Sequence, residues 1–174
     1  MPHRAVIGLG SNQGCREFYL ALSIRLIEWE VGSVVQSSSV IETPSWGFEA
    51  PSFLNQVIVV DTGLPPLRLL DALQSIERRL GRTQKSAVVD GKPVYHDRTI
   101  DLDILDYDGM RYQDDRLTLP HPRIAEREFV LAPLRELGID IGPDNQQPTT
   151  NNQQPTTNNQ QPTTNNQQPT TNNQ

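Results

Sequence analysis

A single cysteine, Cys15, stands in the 174 residues, so no intrachain disulfide can form and a disulfide-stapled secreted scaffold is excluded. No apolar run approaches the length that spans a bilayer or serves as a signal peptide, which predicts a cytoplasmic protein without a membrane partner. Basic residues are in the minority: 15 Lys and Arg face 21 Asp and Glu, a net charge of −6. That balance argues against nucleic-acid binding, which runs on Lys and Arg. Aromatics are scarce too, at 6%, and none falls in the stretches 33–43 and 54–62 that read as strands below. An RNA-binding sheet needs stacking rings on its strands and a basic face, so that reading finds no support here.

The segment from Asn145 to Gln174 lacks everything but Asn, Gln, Pro and Thr. Its unit QQPTTNN starts at Gln146, Gln153, Gln160 and Gln167. A seven-residue period without apolar positions, and with a proline in each unit, makes neither a coiled coil nor a helix. Nothing in it offsets the entropy of ordering, so 145–174 reads as a disordered tail and 1–144 as one domain.

Within 1–144 the elements follow from periodicity and punctuation. Arg4–Leu9 reads as a short buried strand. Cys15–Glu30 has helical spacing, with Phe18, Leu22, Leu26 and Trp29 as its inner face and Gly32 as its stop. Ser33–Thr43 and Leu54–Thr62 read as strands around a loop, Pro44–Ser52. A second helix opens at Leu64-Pro65-Pro66, buries Leu69, Leu70, Leu73, Ile76 and Leu80, and ends at Gly81. Gly81–Asp97 reads as a polar, basic loop and Arg98–Tyr107 as a strand. Asp108-Gly109 reads as a hairpin turn leading to Met110–Gln113. A helical region interrupted at Pro133 follows. The order βαββαβ, with an appended hairpin strand and C-terminal helices, predicts an α+β, ferredoxin-like αβα sandwich.

Chemistry concentrates in Asp97-Arg98-Thr99-Ile100-Asp101-Leu102-Asp103-Ile104. On a strand Ile100, Leu102 and Ile104 share the core face, while Asp101 and Asp103 share the other, with Asp97 and Thr99 in line. Two carboxylates at i and i+2 lie roughly 6–7 Å apart and repel. Mg²⁺, typically held by one or two carboxylates plus substrate phosphates, removes that penalty. The solvated face of an amphipathic strand is the bland alternative. Cations beside the acids, His96 and Arg98, and a preceding loop with Arg82, Lys85 and Lys92 favour phosphoryl transfer.

Other groups are read against their plain explanations. Gly8-Leu9-Gly10-Ser11-Asn12-Gln13-Gly14 has the wrong spacing for a dinucleotide loop and reads as a turn, with Asn12 close to a ligand or capping the helix. Trp46, Phe48 and Phe53 with Asn55 form either loop packing or a slot for a flat heterocycle, with Tyr95 and Phe129 as further rings. His121 between two prolines is rigidly placed, a structural histidine or a phosphate contact. Gln74 and Glu77 share a helix face that could equally be plain solvent.

Taken together, Ala5–Asn12, Thr43-Pro44 with Phe53-Leu54-Asn55, Gly81-Arg82, His96–Ile104, Leu117–Pro122 and Arg127-Glu128-Phe129 resemble the 6-hydroxymethyl-7,8-dihydropterin pyrophosphokinases. The resemblance spans nearly all of Ala5–Leu137. It implies pyrophosphoryl transfer from ATP to the pterin in folate biosynthesis by a monomeric enzyme. It implies that Asp101 and Asp103 bind two Mg²⁺ ions, and that Arg82, Arg98, Asp101 and Asp103 are catalytic. It implies ATP contacts from Gln74, Glu77, Arg98, Arg116, Thr118 and His121. Pterin contacts would come from Thr43, Pro44, Trp46, Phe53, Asn55 and Phe129. Tyr95 stands near where the family carries a loop tryptophan, and Gln84 where it carries a second arginine. A different Mg²⁺-dependent nucleotidyl or phosphoryl transferase, or an effector-binding module, is the competing reading.

Overall fold

The computed structural model describes residues 1–45, 51–82, 87–89, 92–94 and 97–141. The repeat tail lies outside the described residues. Among the described residues, nine strands and three helices run in the order β1 (His3–Ser11), α1 (Arg16–Glu30), β2 (Gly32–Ser37), β3 (Ile41–Thr43), β4 (Phe53–Thr62), α2 (Pro66–Arg79), β5 (Ala87–Val89), β6 (Lys92–Val94), β7 (Asp101–Tyr107), β8 (Tyr112–Gln113), β9 (Thr118–Leu119) and α3 (Glu128–Glu136). A 3₁₀ turn, Ile124–Glu126, precedes α3.

The main sheet has the order β2–β4–β1–β7, with β3 pairing β4 beyond the end of β2, and every pairing is antiparallel. This is the ferredoxin-like arrangement predicted from element order. The alternation of β1 and β4 divides their side chains between two cores. Ala5, Ile7, Leu9, Ile58 and Val60 pack with Leu20 and Ile27 of α1 and Leu69, Leu73 and Ile76 of α2. On the opposite face Val6, Val57 and Leu105 pack with Ile124 and with Val130 and Leu134 of α3. A register shift in the β1–β7 ladder around Leu105 lets Tyr107 return to the first core, where its hydroxyl donates to the Leu64 carbonyl at 2.8 Å.

Several sequence expectations are corrected. The buried positions of α1 are Leu20, Ser23 and Ile27, and the expected Leu22 and Leu26 pack partly buried beside them, but Phe18 and Trp29 are 56% and 87% exposed. Leu and Ile recur on both faces of α1, so apolar spacing alone does not set its phase. The stretch 33–43 forms two strands, because at Ser38 the backbone N–H and the hydroxyl both pair with Val57 and break the run. A short hairpin, β5–β6, lies within the expected loop 81–97. The turn at Asp108-Gly109 is present, both residues at positive φ, but β8 pairs with β9 rather than folding back on β7. Helix α3 continues through Pro133, which is buried.

Gly32 follows α1 because a Cβ there would lie 2.2 Å from the Asp61 carbonyl oxygen. The other end of α1 is less finished: Cys15 is its N-cap and makes no side-chain capping bond. Asp accepts a bond from the first-turn N–H groups and suits the positive end of the helix dipole. Cys15→Asp should therefore stabilise the fold by about 0.5–1 kcal/mol, read as a melting temperature a few degrees higher. Among the described residues no helix is long and apolar enough to cross a membrane.

Candidate active site

Three neighbouring strands bring the site together row by row. In one row Asn55 of β4, Gly10 of β1 and Asp101 of β7 stand side by side; in the next stand Val57, Gly8 and Asp103. Glycine on the middle strand leaves a trough between the amide and the acids. A Cβ at Gly10 would sit 3.3 Å from Asn55 Oδ1, and one at Gly8 would touch Leu105 at 3.4 Å.

This trough is the floor of a first cleft, walled by Thr43, Pro44, Phe53, Asn55, Arg98, Arg127 and Phe129. Asn55 is buried, and its Nδ2 donates to Thr43 Oγ1 at 2.8 Å, which fixes the carboxamide plane. Arg127 lies over the Phe129 ring, its guanidinium carbon 5.7 Å from the centroid. A second cleft lies between α2 and the β8–β9 hairpin, walled by Gln74, Glu77, Arg82, Arg116, Thr118 and His121. Asp101 and Asp103 line both clefts. They point away from Leu102 and Ile104, which are buried in the first core.

The acids are held in a web of guanidinium groups. Asp101 Oδ2 accepts from Arg98, and Oδ1 accepts from Arg82 at 2.5 Å. Arg82 also donates to Glu77, whose Oε1 accepts the Leu102 backbone N–H at 2.8 Å on the free edge of β7. Asp103 has the looser partner, Arg127 at 3.4 Å. Burial, reinforced by the Asp101 charge, raises the Asp103 carboxyl to about 6 and the Glu77 carboxyl to about 7. Burial and then the Arg127 charge lower His121 to about 4, so the ring is neutral. Its Nδ1 accepts the Arg123 N–H at 3.2 Å, which leaves Nε2–H as the donor for the cleft. Among the described residues, the buried Nε–H of Arg82 has no hydrogen-bond partner and stands as an orphan donor beside the acids.

Every described residue to which the resemblance assigned a role lines one of the two clefts. Arg116 does so at the rim, where it pairs with Asp71 of α2 at 2.5 Å. Trp46, Lys85, Tyr95 and His96 lie outside the described residues. Asp97 and Thr99 are not in line with the acid pair, because β7 begins only at Asp101. The preceding turn is clipped by Asn12, which is 2% exposed. Its Nδ2 donates to Asp97 Oδ1, its Oδ1 accepts the Arg98 N–H, both at 2.8 Å, and its own N–H reaches the Arg98 carbonyl at 3.2 Å. Asn12 therefore neither caps α1 nor lines a cleft; it positions Arg98. Sequence reading also missed Arg127 as the partner of Asp103, for which its place two residues before Phe129 was the available signal.

The sequence model of the 7,8-dihydro-6-hydroxymethylpterin-pyrophosphokinase (HPPK) family matches residues 6–139. The chain belongs to the HPPK family. Among its relatives is the 2-amino-4-hydroxy-6-hydroxymethyldihydropteridine pyrophosphokinase of Porphyromonas gingivalis, 40% identical over 144 residues, which are 82% of this chain and 95% of that one. The enzyme of the same name from Bacillus subtilis is 40% identical over 139 residues, 79% of each chain. The mitochondrial folate synthesis bifunctional protein of Pisum sativum is 42% identical over 133 residues, 76% of this chain but 24% of that one. In fold the HPPK chain is similar to the Plasmodium falciparum HPPK-DHPS crystal structure with SDX-DHP, at a TM-score of 0.62 and 14% identity, covering 78% of this chain and 41% of that one.

Proposed function

We propose that this chain transfers the pyrophosphoryl group of ATP to 6-hydroxymethyl-7,8-dihydropterin, giving the pterin diphosphate and AMP. One observation carries the reading: the acid pair forms the wall common to two clefts, one with rings and an oriented carboxamide, the other with donors for phosphate. A flat heterocycle suits the first, stacked by Phe53 and Phe129 and read by Asn55, with Thr43 and Pro44 beside it and Trp46 and Tyr95 as further contacts. The triphosphate suits the second, with Gln74, Glu77, Arg116, Thr118 and neutral His121 around it. The hydroxymethyl oxygen attacks the β-phosphorus, the bond to the α-phosphate oxygen breaks, and AMP leaves.

The oxygen-only pair fits Mg²⁺. Among the described residues no cluster of three or more His, Cys, Asp or Glu could hold a metal, so phosphate oxygens would complete the shell. When bound, Mg²⁺ supplies charge neutralisation at the phosphates, and two ions are expected. Both oxygens of Asp101 are engaged by guanidinium groups in this structure. Released from Asp101, Arg82 and Arg98 would turn their donors, including the orphan Nε–H of Arg82, to the transferring group.

The deciding test is the product. Incubation with ATP, Mg²⁺ and the pterin should yield one AMP per pterin consumed, and none with EDTA. Release of pyrophosphate or ADP instead would overturn the reading in favour of another transferase. A second prediction concerns the trough floor. Gly10→Ala places a methyl 3.3 Å from Asn55 Oδ1 and 3.6 Å from Phe53, so Asn55 must give by a few tenths of an ångström. The KM for the pterin should rise about tenfold, the scale of one misplaced hydrogen-bonding group, with the KM for ATP unchanged in steady-state kinetics.

A further inference from the structure

We infer that Arg16, which lines neither cleft, is a positioning residue for the heterocycle-binding cleft; the inference rests on the pterin reading above. Arg16 opens α1, across the mouth of the β3–β4 connection. Its Nη1 donates both to Glu42 Oε1 of β3 at 2.8 Å and to the carbonyl of Ser52, just before β4, at 2.7 Å. One guanidinium nitrogen thus ties together the two stems of that connection. The stems need it, because β3 has only three residues, paired Ile41 with Asn55, Glu42 with Leu54 and Thr43 with Phe53. A ladder of three rungs is weakly held at its last rung.

That last rung is the one the cleft uses. Thr43 and Phe53 both line it, and Thr43 Oγ1 accepts the bond that fixes the Asn55 carboxamide. The line of action runs from Arg16 through the stems to Thr43, and from Thr43 to the amide that reads the heterocycle. The two legs of the clip are unequal. The Glu42 side chain is 56% exposed, and an ion pair so exposed contributes little. The Ser52 leg is partly buried and charge-assisted, and removing it leaves a carbonyl without its donor.

The test compares Arg16→Ala, Arg16→Lys and Glu42→Gln by steady-state kinetics and by pterin fluorescence titration with a nonhydrolysable ATP analogue and Mg²⁺ present. Arg16→Ala should raise the KM and Kd for the pterin about tenfold, with the KM for ATP and kcat within about twofold. Arg16→Lys keeps a cation within reach of Ser52 and should hold the rise to about threefold, while Glu42→Gln should stay within about twofold. Unchanged pterin affinity in Arg16→Ala, or pterin KM, ATP KM and kcat worsening together, overturns the inference. Should Arg16→Ala not fold, Arg16→Lys decides in the same way, with an unchanged pterin Kd as the overturning result. Pterin binding without turnover by the wild type would overturn the proposed reaction and leave the comparison of Kd values to judge Arg16; no pterin binding at all would overturn both.

Discussion

Asp101→Asn and Asp103→Asn should each lower kcat at least about a hundredfold, the scale of one electrostatic group aimed at a transferring phosphoryl. Their effects on stability should differ from that and from each other. Asp101 pairs with both Arg82 and Arg98, and it also raises the carboxyl groups of Glu77 and Asp103 by its charge. Asparagine at 101 therefore loses two ion pairs but relieves two like-charge repulsions, and these changes oppose each other. The melting temperature should move far less than the turnover number. Asp103 has one long contact, to Arg127, so Asp103→Asn removes little that holds the fold. Kinetics at saturating Mg²⁺ and ATP, with a thermal melt of each variant, give both readouts. Near-normal kcat in both variants would remove the metal assignment, and loss of kcat only in parallel with unfolding would make the pair structural.

The strand carrying these acids was legible in the sequence for a physical reason. Ile100, Leu102 and Ile104 alternate with polar residues at a period no helix shares, and one face had to be buried. The same reading failed for α1, where Phe18 and Trp29 are the largest apolar groups but lie outside, and smaller Leu20, Ser23 and Ile27 fit the close approach to the sheet. Propensity named Ser33–Thr43 a strand but could not see that the Ser38 hydroxyl pairs with Val57 and divides it. The site follows the same division. Residues proposed to act through their own chemical type, the two aspartates and the rings of Phe53 and Phe129, could be named from the chain alone, and they line one cleft. Residues that act through another residue could not: Asn12 and Arg16 matter because the β1–α1 turn and the first residue of α1 come within hydrogen-bond distance of segments some 85 and 36 positions away. That proximity is made by the sheet order, and no local pattern encodes it.

Without metal or nucleotide, stability should fall as pH rises from about 5 to 8. Glu77 has its carboxyl raised from 4.5 to about 7, and Asp103 from 3.8 to about 6. For an acid raised on folding, the folded state binds more protons than the unfolded one between the two values. The stabilising contribution is then complete below the unfolded value and is lost as pH climbs through the folded one. His121 works the other way. Lowered from 6.5 to about 4, it favours folding fully above 6.5 and loses that contribution as pH falls towards 4. At pH 6.5 the unfolded ring is about half protonated, and over the next unit it becomes neutral in both states, so from pH 6.5 to 8 the opposing effect of His121 fades and the carboxyls set the sign. Thermal melts in EDTA at pH 6.5, 7.25 and 8 read this directly. Glu77→Gln should flatten the slope over that interval, since Glu77 has the higher of the two raised values. Mg²⁺ with a nonhydrolysable ATP analogue should raise the melting temperature more at pH 8 than at pH 6.5, because the cation binds the ionised acids that the empty site tolerates least. A melting temperature in EDTA that rises from pH 6.5 to 8 would show that the acid pair and Glu77 are already neutralised by their arginines. The case that ionised carboxylates there require a metal would then fail.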